Sequence, residues 1–267
     1  MFVSVCRSVD IRNNVTTFQQ LKGCRVVEGF VQILLFDKLN KSQLANICFP
    51  ELVEITGYLL FYRVSGLTSL GQLFPNLAVI RGQLDITGYS FIVFEMPSLQ
   101  EINLYSLTDI SHGFIRIDKN PSLCFVNTID WSLIARQKGS EHYINSVKPE
   151  DECPICPEEH SGLKCPKTNS ENKINTIEGQ NLCWNRDHCQ KVCRDASTTC
   201  ADDANKTRCD ESCLGGCDSL DTRKCKVCKN FTALVNNEIV CLSHCPLNLY
   251  EVRPSIIFYV YIIKFTS

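Results

Sequence analysis

Apolar and charged residues alternate through Phe114-Ile-Arg-Ile-Asp-Lys119, the pattern of a strand with one side in a core and the other in water. Ile115 and Ile117 then face inward, while Arg116, Asp118 and Lys119 face solvent or the strand end. Three earlier runs have the same strand character: Phe30 to Phe36, Tyr58 to Val64 and Ser90 to Glu95. They are apolar on both parities, so alternation alone leaves their inward side open. Continuing the register of the last run places Gln32, Leu34, Leu60, Tyr62, Ile92 and Phe94 outward. Ile33, Leu35, Leu59, Phe61, Phe91 and Val93 then fill the core. Either parity leaves one face with a contiguous apolar strip beside a charged edge, which is how interaction surfaces look. The bland alternative is a sheet covered by another part of the chain.

A shorter signature precedes or follows these runs. It reads Pro50-Glu-Leu52-Val-Glu-Ile55, Pro75-Asn-Leu77-Ala-Val-Ile80, Pro97-Ser-Leu99-Gln-Glu-Ile102 and Pro121-Ser-Leu123-Cys-Phe-Val126, with steps of 25, 22 and 24 residues. A weaker copy, Cys24-Arg-Val-Val27, puts Cys24 in the Leu slot and is followed by Gly29, matching Gly57 and Gly82. Self-similarity at this period predicts a solenoid whose coils stack around one continuous core, with the strand runs side by side in a parallel sheet. Val15, Phe18 and Leu21 recur at helical spacing. Asn13 or Asn14 can cap that helix and Gly23 can stop it, so it can close the first coil. Thr128 to Ile134 is an apolar, helix-like segment suited to the far end, and a polar passage from Arg136 to Glu152 follows.

Beyond that point cysteine replaces periodicity. Of 18 cysteines, four precede residue 150 and fourteen lie from Cys153 to Cys245, many as C-x2-C or C-x3-C pairs. This density suits disulfides made in an oxidising compartment, where cross-links substitute for a core the segment is too small to build. Four sequons, at Asn14, Asn40, Asn205 and Asn230, agree with an extracellular location. Zinc is the rival reading, since C-x2-C is ligand spacing and His160, His188 and His244 lie nearby. Clustered cysteines among sequons favour disulfides, with no metal and no cofactor. The 27 basic and 29 acidic residues nearly balance, so nothing suggests a nucleic-acid partner. The five residues before Cys6 are too few for a signal peptide, so a leader upstream of Met1 is the expectation for a secreted chain. No apolar run reaches the roughly 20 residues of a membrane span.

With both halves described, the chain resembles the insulin receptor family: a first L domain followed by a furin-like cysteine-rich region. The resemblance rests on Asp10-Ile-Arg-Asn-Asn14, Val27-Glu-Gly29, Gln32-Ile-Leu-Leu35, Tyr58-Leu-Leu60, Phe74-Pro-Asn-Leu77, Val79-Ile-Arg-Gly82 and Phe94-Glu-Met96. It continues through Ile115-Arg-Ile-Asp-Lys-Asn120, Thr128-Ile-Asp-Trp-Ser132, His188-Cys-Gln-Lys-Val-Cys193 and Glu211-Ser-Cys-Leu-Gly215. It implies a mainly β fold: a right-handed β-helix of leucine-rich-repeat-like coils over residues 6–150, then a disulfide-rich rod over 151–250. Residues 251–267 match nothing, and their β-branched, aromatic run is an aggregation hazard if exposed.

The resemblance also implies a ligand surface for insulin-like peptides, on Asp10, Arg12, Asn13, Gln32, Leu34, Leu35, Leu60, Tyr62, Tyr89, Ile92, Phe94, Arg116, Asp118 and Lys119. Other receptor chains are implied as dimer partners. Implied disulfides join Cys6 to Cys24, Cys124 to Cys153, Cys156 to Cys183, Cys165 to Cys189, Cys193 to Cys200, Cys209 to Cys217, Cys213 to Cys225 and Cys228 to Cys241. Cys245 is left without a partner, and Cys48 is expected as a buried thiol at a coil corner. Two departures stand on the proposed face. Asp37 replaces an aromatic residue, and Asp85-Ile-Thr-Gly88 replaces a Leu-Phe-Phe-Asn run. No Gly-rich loop, His-Arg-Asp loop or Asp-Phe-Gly motif of a kinase is present, so the chain reads as a non-catalytic binding module. Three other readings are a secreted decoy that sequesters the peptide, a cysteine-rich structural glycoprotein, and a β-helical polysaccharide lyase. The last needs clustered carboxylates where this face is apolar.

Overall fold

The computed structural model describes residues 4–139, 141–157, 165–167, 179–193, 199–202, 206–235, 238–244, 251–252 and 259–261. Two compact units are resolved, one spanning 4–192 and one beginning at Cys193. The first holds strands β1 (Val5–Arg12), β2 (Val26–Phe36), β3 (Glu54–Ile55), β4 (Leu59–Val64), β5 (Val79–Ile80), β6 (Tyr89–Phe94), β7 (Asp109–Ile110), β8 (Phe114–Asp118) and β9 (Tyr143–Ile144). A four-residue helix, α1 (Lys41–Leu44), lies between β2 and β3. Every pairing among the nine strands is parallel. Parallel neighbours cannot be joined by a tight hairpin. Here each crossover is the rest of a coil: the chain runs through a long strand, turns, runs through a short strand, and returns one level further on. The result is mainly β, with little helix, and consistent with an L-domain solenoid.

The four Pro-x-Leu signatures mark turns, but they do not mark four successive coils. Pro50 and Pro75 share one corner, where Asn76 Nδ2 donates to the Pro50 carbonyl at 2.8 Å. Pro97 and Pro121 share another, where Ser122 Oγ donates to the Pro97 carbonyl at 3.2 Å. The steps of 25 and 24 residues are therefore true coil repeats, and the step of 22 joins two different corners. Each corner has a copy hidden by the loss of proline. Tyr105-Ser-Leu107-Thr-Asp-Ile110 stacks on the first, through Ser106 Oγ and the Pro75 carbonyl at 2.7 Å. Ser65-Gly-Leu67-Thr-Ser-Leu70 stacks on the second, where Ser98 Oγ accepts from the Gly66 N–H at 3.2 Å. Leu52, Leu67, Leu77, Leu99, Leu107 and Leu123 are all buried. The Gly29, Gly57 and Gly82 column lets backbones approach. A Cβ on Gly82 would lie 2.0 Å from the His112 carbonyl oxygen.

The core takes Ile33, Leu59, Phe61, Phe91, Val93, Ile115 and Ile117, as the outward register requires. Leu35 is the correction. It has φ of +61° and sits partly exposed, and Phe36 fills the core position instead. The same left-handed conformation recurs beside the outward strand positions, at Asn13, Leu35, Arg63, Glu95 and Lys119, with φ from 51° to 63°. This column is the corner of the solenoid: it turns Phe36, Val64, Met96 and Asn120 inward, all buried. Asn120 is fully buried and serves the corner's backbone, donating to the Val93 carbonyl at 3.0 Å and accepting from the Met96 N–H at 2.9 Å.

Both ends of the stack differ from the sequence-based expectation. At the start, residues 5–12 are a strand, and the expected helix is a 3-10 turn over Val15–Leu21 capped by Asn14. β2 carries a bulge at Gly29 and Phe30, which together oppose Ser8 of β1, and the Ser8 Oγ accepts from the Phe30 N–H at 3.2 Å. At the far end the polar passage contributes another rung, β9, paired to β8. A 3-10 turn at Trp131–Leu133 closes the core, but it is itself covered by residues 182–190. Trp184 is fully buried edge-on to Trp131, with ring centroids 5.8 Å apart. Gln190 clamps Asp130 from both sides, accepting from its N–H at 2.7 Å and donating to its carbonyl at 2.9 Å.

Among the described residues eight disulfides close, joining Cys6–Cys24, Cys124–Cys153, Cys156–Cys183, Cys165–Cys189, Cys193–Cys200, Cys209–Cys217, Cys213–Cys225 and Cys228–Cys241. These are the pairs the resemblance implies, and they remove those thiols from any zinc site. Cys48 is exposed rather than buried, because the corner turns its side chain away from Phe49, which enters the core instead. Partial shielding and the nearby Glu51 carboxylate push its thiol pKa up. Cys245 and Asn205 lie outside the described residues. Asn14, Asn40 and Asn230 are exposed.

The second unit is organised by its cross-links, with Ala201, Cys209, Cys213, Cys217 and Cys225 as its small core. Strands β10 (Phe231–Val235) and β11 (Glu238–Leu242) form an antiparallel hairpin. Two pieces of the terminal segment, β12 (Glu251–Val252) and β13 (Tyr259–Tyr261), extend it. Among the described residues no helix is long and apolar enough to cross a bilayer.

Replacing Trp184 with Ala tests the cap. Truncating a fully buried Trp costs about 3–5 kcal/mol. The urea midpoint of the disulfide-intact chain should fall accordingly. A midpoint unchanged from wild type would show that residues 182–190 contribute nothing to closing the solenoid.

Candidate functional site

The parallel register aligns outward side chains into rows that cross the long strands. One row runs Asp10, Gln32, Leu60, Ile92, Arg116 and then Tyr143. The adjacent row runs Arg12, Leu34, Tyr62, Phe94 and Asp118. Asn13, Leu35 and Lys119 belong to the left-handed corner column beside the second row, and Tyr89 flanks the first row next to Phe114. All fourteen residues singled out from the sequence therefore share one face. The rows are not equally open: Leu34, Ile92 and Asp118 are buried by their taller neighbours, and the others are partly or largely exposed.

Aromatic contacts organise the face. Tyr62 and Phe94 stack with centroids 5.6 Å apart, and Phe30 stacks on Tyr58 at 4.9 Å. Tyr58 donates to Gln32 Oε1 at 3.1 Å, and burial raises its phenol pKa. Cations lie over the rings: Arg63 over Tyr62 at 5.2 Å, Lys119 over Phe94 at 5.1 Å and Arg116 over Phe94 at 5.0 Å. Apolar rings roofed at one edge by cations give a surface suited to a partner with its own apolar face and carboxylates at the rim.

The corner column adds an ion-pair ladder. Arg63 Nε lies 2.7 Å from one Glu95 oxygen and Lys119 Nζ lies 3.2 Å from the other. The Arg63 hydrogen bond is the main cause holding the Glu95 carboxyl below its ordinary range. At the opposite end Arg12 Nε donates to Asp10 at 2.8 Å, and this bond lowers the Asp10 pKa. Asp37 is exposed beside the ladder, in a shallow depression with Arg63, Ser65, Glu95 and Lys119. The other departure, Asp85 to Gly88, is a tight turn: Thr87 and Gly88 both have positive φ, and the Gly88 N–H donates to Asp85 at 2.9 Å.

Sequence reading missed Tyr143, because it comes from a rung beyond the repeats, where no periodicity flags it. It also missed Arg63 and Glu95, whose outward placement follows from the corner geometry rather than from strand alternation. The short strands β3, β5 and β7 carry a different constellation. Asp109 is buried, bound to Ser111 at 2.6 Å and paired with Arg136, and burial raises its pKa. Glu54 and Arg81 pair beside it. These alternating charges neutralise one another within the sheet and present no open donor set.

Residues 23–135 match the receptor L domain family, and residues 146–258 match the furin-like cysteine rich region. The chain is 44% identical over 250 residues to an insulin-like peptide receptor of Branchiostoma lanceolatum, covering 93% of this chain and 17% of that protein. It is 40% identical over 247 residues to the insulin-like growth factor 1 receptor of Xenopus laevis, covering 91% and 18%. To the Xenopus laevis insulin receptor it is 39% identical over 252 residues, covering 92% and 18%. The chain thus spans less than one fifth of the length of these relatives.

Glu95 gives a pH test of the face. Its pKa is lowered from 4.5 in the folded state, so its contribution is present above that value and lost as pH falls through the folded pKa. Glu95→Gln should lower the melting temperature at pH 6.5 and match wild type in strong acid. An equal difference at both pH values would mean that the ladder is not the source.

Proposed function

We propose, for a chain that belongs to the insulin receptor family through its receptor L domain and furin-like region, that it forms the peptide-binding part of an insulin-like receptor ectodomain. It binds insulin-like peptides across the outward face of the long strands. The observation that carries this reading is the register: Gln32, Leu60, Ile92 and Arg116 fall in one row and Leu34, Tyr62, Phe94 and Asp118 in the next. Alternation alone had left open the direction of all of these but Arg116 and Asp118. In this reading the coils wind right-handed, residues 6–150 form the L domain and 151–250 the cysteine-rich rod. The chain acts outside the cell and pairs with other receptor chains. The two matched regions contain no catalytic domain.

Affinity comes from burying the half-exposed rings. Burying one Phe-sized side chain contributes roughly 1.5–3 kcal/mol. Asp37 and the Asp85–Gly88 turn offer little apolar area, so this chain alone binds weakly. Isothermal titration of insulin into the glycosylated chain tests the assignment. Tyr62→Ala should lower affinity by about 2 kcal/mol, or roughly thirtyfold. Lys226→Ala, which removes an ion pair to Asp202 in the second unit, should leave it unchanged. The reverse order of effects would put the binding surface elsewhere.

A further inference from the structure

The edge of β8 is finished by side chains where the β9 rung falls short. The Phe114 N–H donates to the Gly88 carbonyl at 2.8 Å, toward β6, while the Ile117 carbonyl accepts from Asn145 at 2.9 Å, toward β9. Backbone groups of alternate residues point to opposite neighbours, so the Ile115 N–H also points toward β9. Ile115 is fully buried, yet β9 begins at Tyr143, opposite Arg116. The acceptor that Ile115 finds is His142, whose Nδ1 takes its N–H at 3.2 Å. Gln137 serves the preceding edge donor in the same way, its Oε1 accepting from the Gly113 N–H at 2.9 Å. The two substitutes are tied together, since His142 Nε2 lies 2.9 Å from the Gln137 carbonyl. A backbone N–H can only donate, so Nδ1 presents a lone pair and Nε2 carries the proton. The neutral ring is then satisfied at both nitrogens, and Phe114 packs against it edge-to-face with centroids 5.3 Å apart.

We infer that His142 is a proton-sensitive latch that holds the β9 rung on the edge of β8. A proton taken up at Nδ1 turns the acceptor into a donor, which faces the Ile115 N–H across 3.2 Å. The contact becomes repulsive and the ring has to leave. A buried donor without an acceptor is costly, and water reaches this one when the rung lifts. Histidine suits the role, because its charge ordinarily changes between about pH 5 and 8. Charges on the surrounding elements pull both ways. Glu141 lies against Gly139 beside the Phe114 ring and favours a cation. Arg116 of β8, 5.8 Å from the Tyr143 ring, opposes one, as do exposed His112, Arg136 and Lys138. Arg116 and Arg136 already face Asp118 and Asp109. Exposed, screened charges are worth less than the backbone bond that protonation removes. The latch does not depend on what the outward face binds.

Amide exchange on the 15N-labelled chain tests the latch, with rates corrected for their intrinsic dependence on pH. Between pH 7.5 and 5.0 the Ile115 and Asn145 amides should lose protection about tenfold, the scale of one lost backbone bond. The Glu95 amide, which donates to the Asp118 carbonyl at 3.1 Å on the other side of β8, should keep its protection. His142→Asn retains an acceptor at similar reach and cannot take up the proton. It should protect Ile115 equally at both pH values, whereas His142→Ala should leave Ile115 unprotected at both. Glu141→Gln should respond to acid as wild type does. An acid response that survives in His142→Asn, or wild-type protection of Ile115 unchanged by acid, overturns the latch. So does ring 15N spectroscopy that finds the Nδ1–H tautomer at pH 7.5. Equal losses at Ile115 and Glu95 would assign the acid effect to the whole sheet and overturn it as well.

Discussion

Backbone pairing between coils is the constraint on which this structure depends. Because the long strands pair in parallel with little slippage, Gln32, Leu60, Ile92 and Arg116 occupy one height on successive strands, and so do Leu34, Tyr62, Phe94 and Asp118. A shift of one residue in any strand would send its outward set into the core and its core set into water. The face is therefore not assembled residue by residue. It is the exterior of a register whose interior is held by Phe61, Phe91, Val93, Ile115 and Ile117, all fully buried.

The register is stopped by the left-handed column. A non-glycine residue in that region costs roughly 1–2 kcal/mol. The column persists because four of its five members turn the next residue, Phe36, Val64, Met96 or Asn120, into the core, and because Asn120 satisfies backbone groups that the corner leaves without partners. The same turn projects Arg63, Glu95 and Lys119 outward, where they bind one another and roof Tyr62 and Phe94. Corner geometry and surface chemistry are thus one feature. The strain sits beside the candidate site because the corner makes the site's edge.

The unit that begins at Cys193 solves a different problem. Its buried residues are mostly half-cystines, with Ala201, Leu214, Val227 and Ala233 among the few others. A segment of that size cannot exclude enough apolar surface to offset its chain entropy, so bridges that restrict the unfolded chain replace a large core. In the first unit the bridges are supplementary: Cys6–Cys24 ties β1 to the start of β2, and Cys156–Cys183 anchors the segment that carries Trp184.

The sequence by itself determined the solenoid, its strand runs and the inward side of β8, because alternating Ile and charge between residues 114 and 119 admits one orientation. Repeated Leu-x-x-Ile turns were legible for a similar reason, since a stacked coil needs a Leu at each corner. Their assignment to coils was not, because Pro97 and Pro75 carry the same motif on different corners, and only the pairing of Ser98 with Gly66 and of Asn76 with Pro50 separates them. The pairing of half-cystines likewise came from resemblance and not from spacing. Tertiary structure alone decided that Leu35 leaves the core to Phe36, that Trp184 closes the far end, and that Tyr143 walls Arg116. These placements depend on contacts between residues far apart in the chain, such as Trp131 with Trp184, and no local pattern encodes which distant side chain fills a given gap.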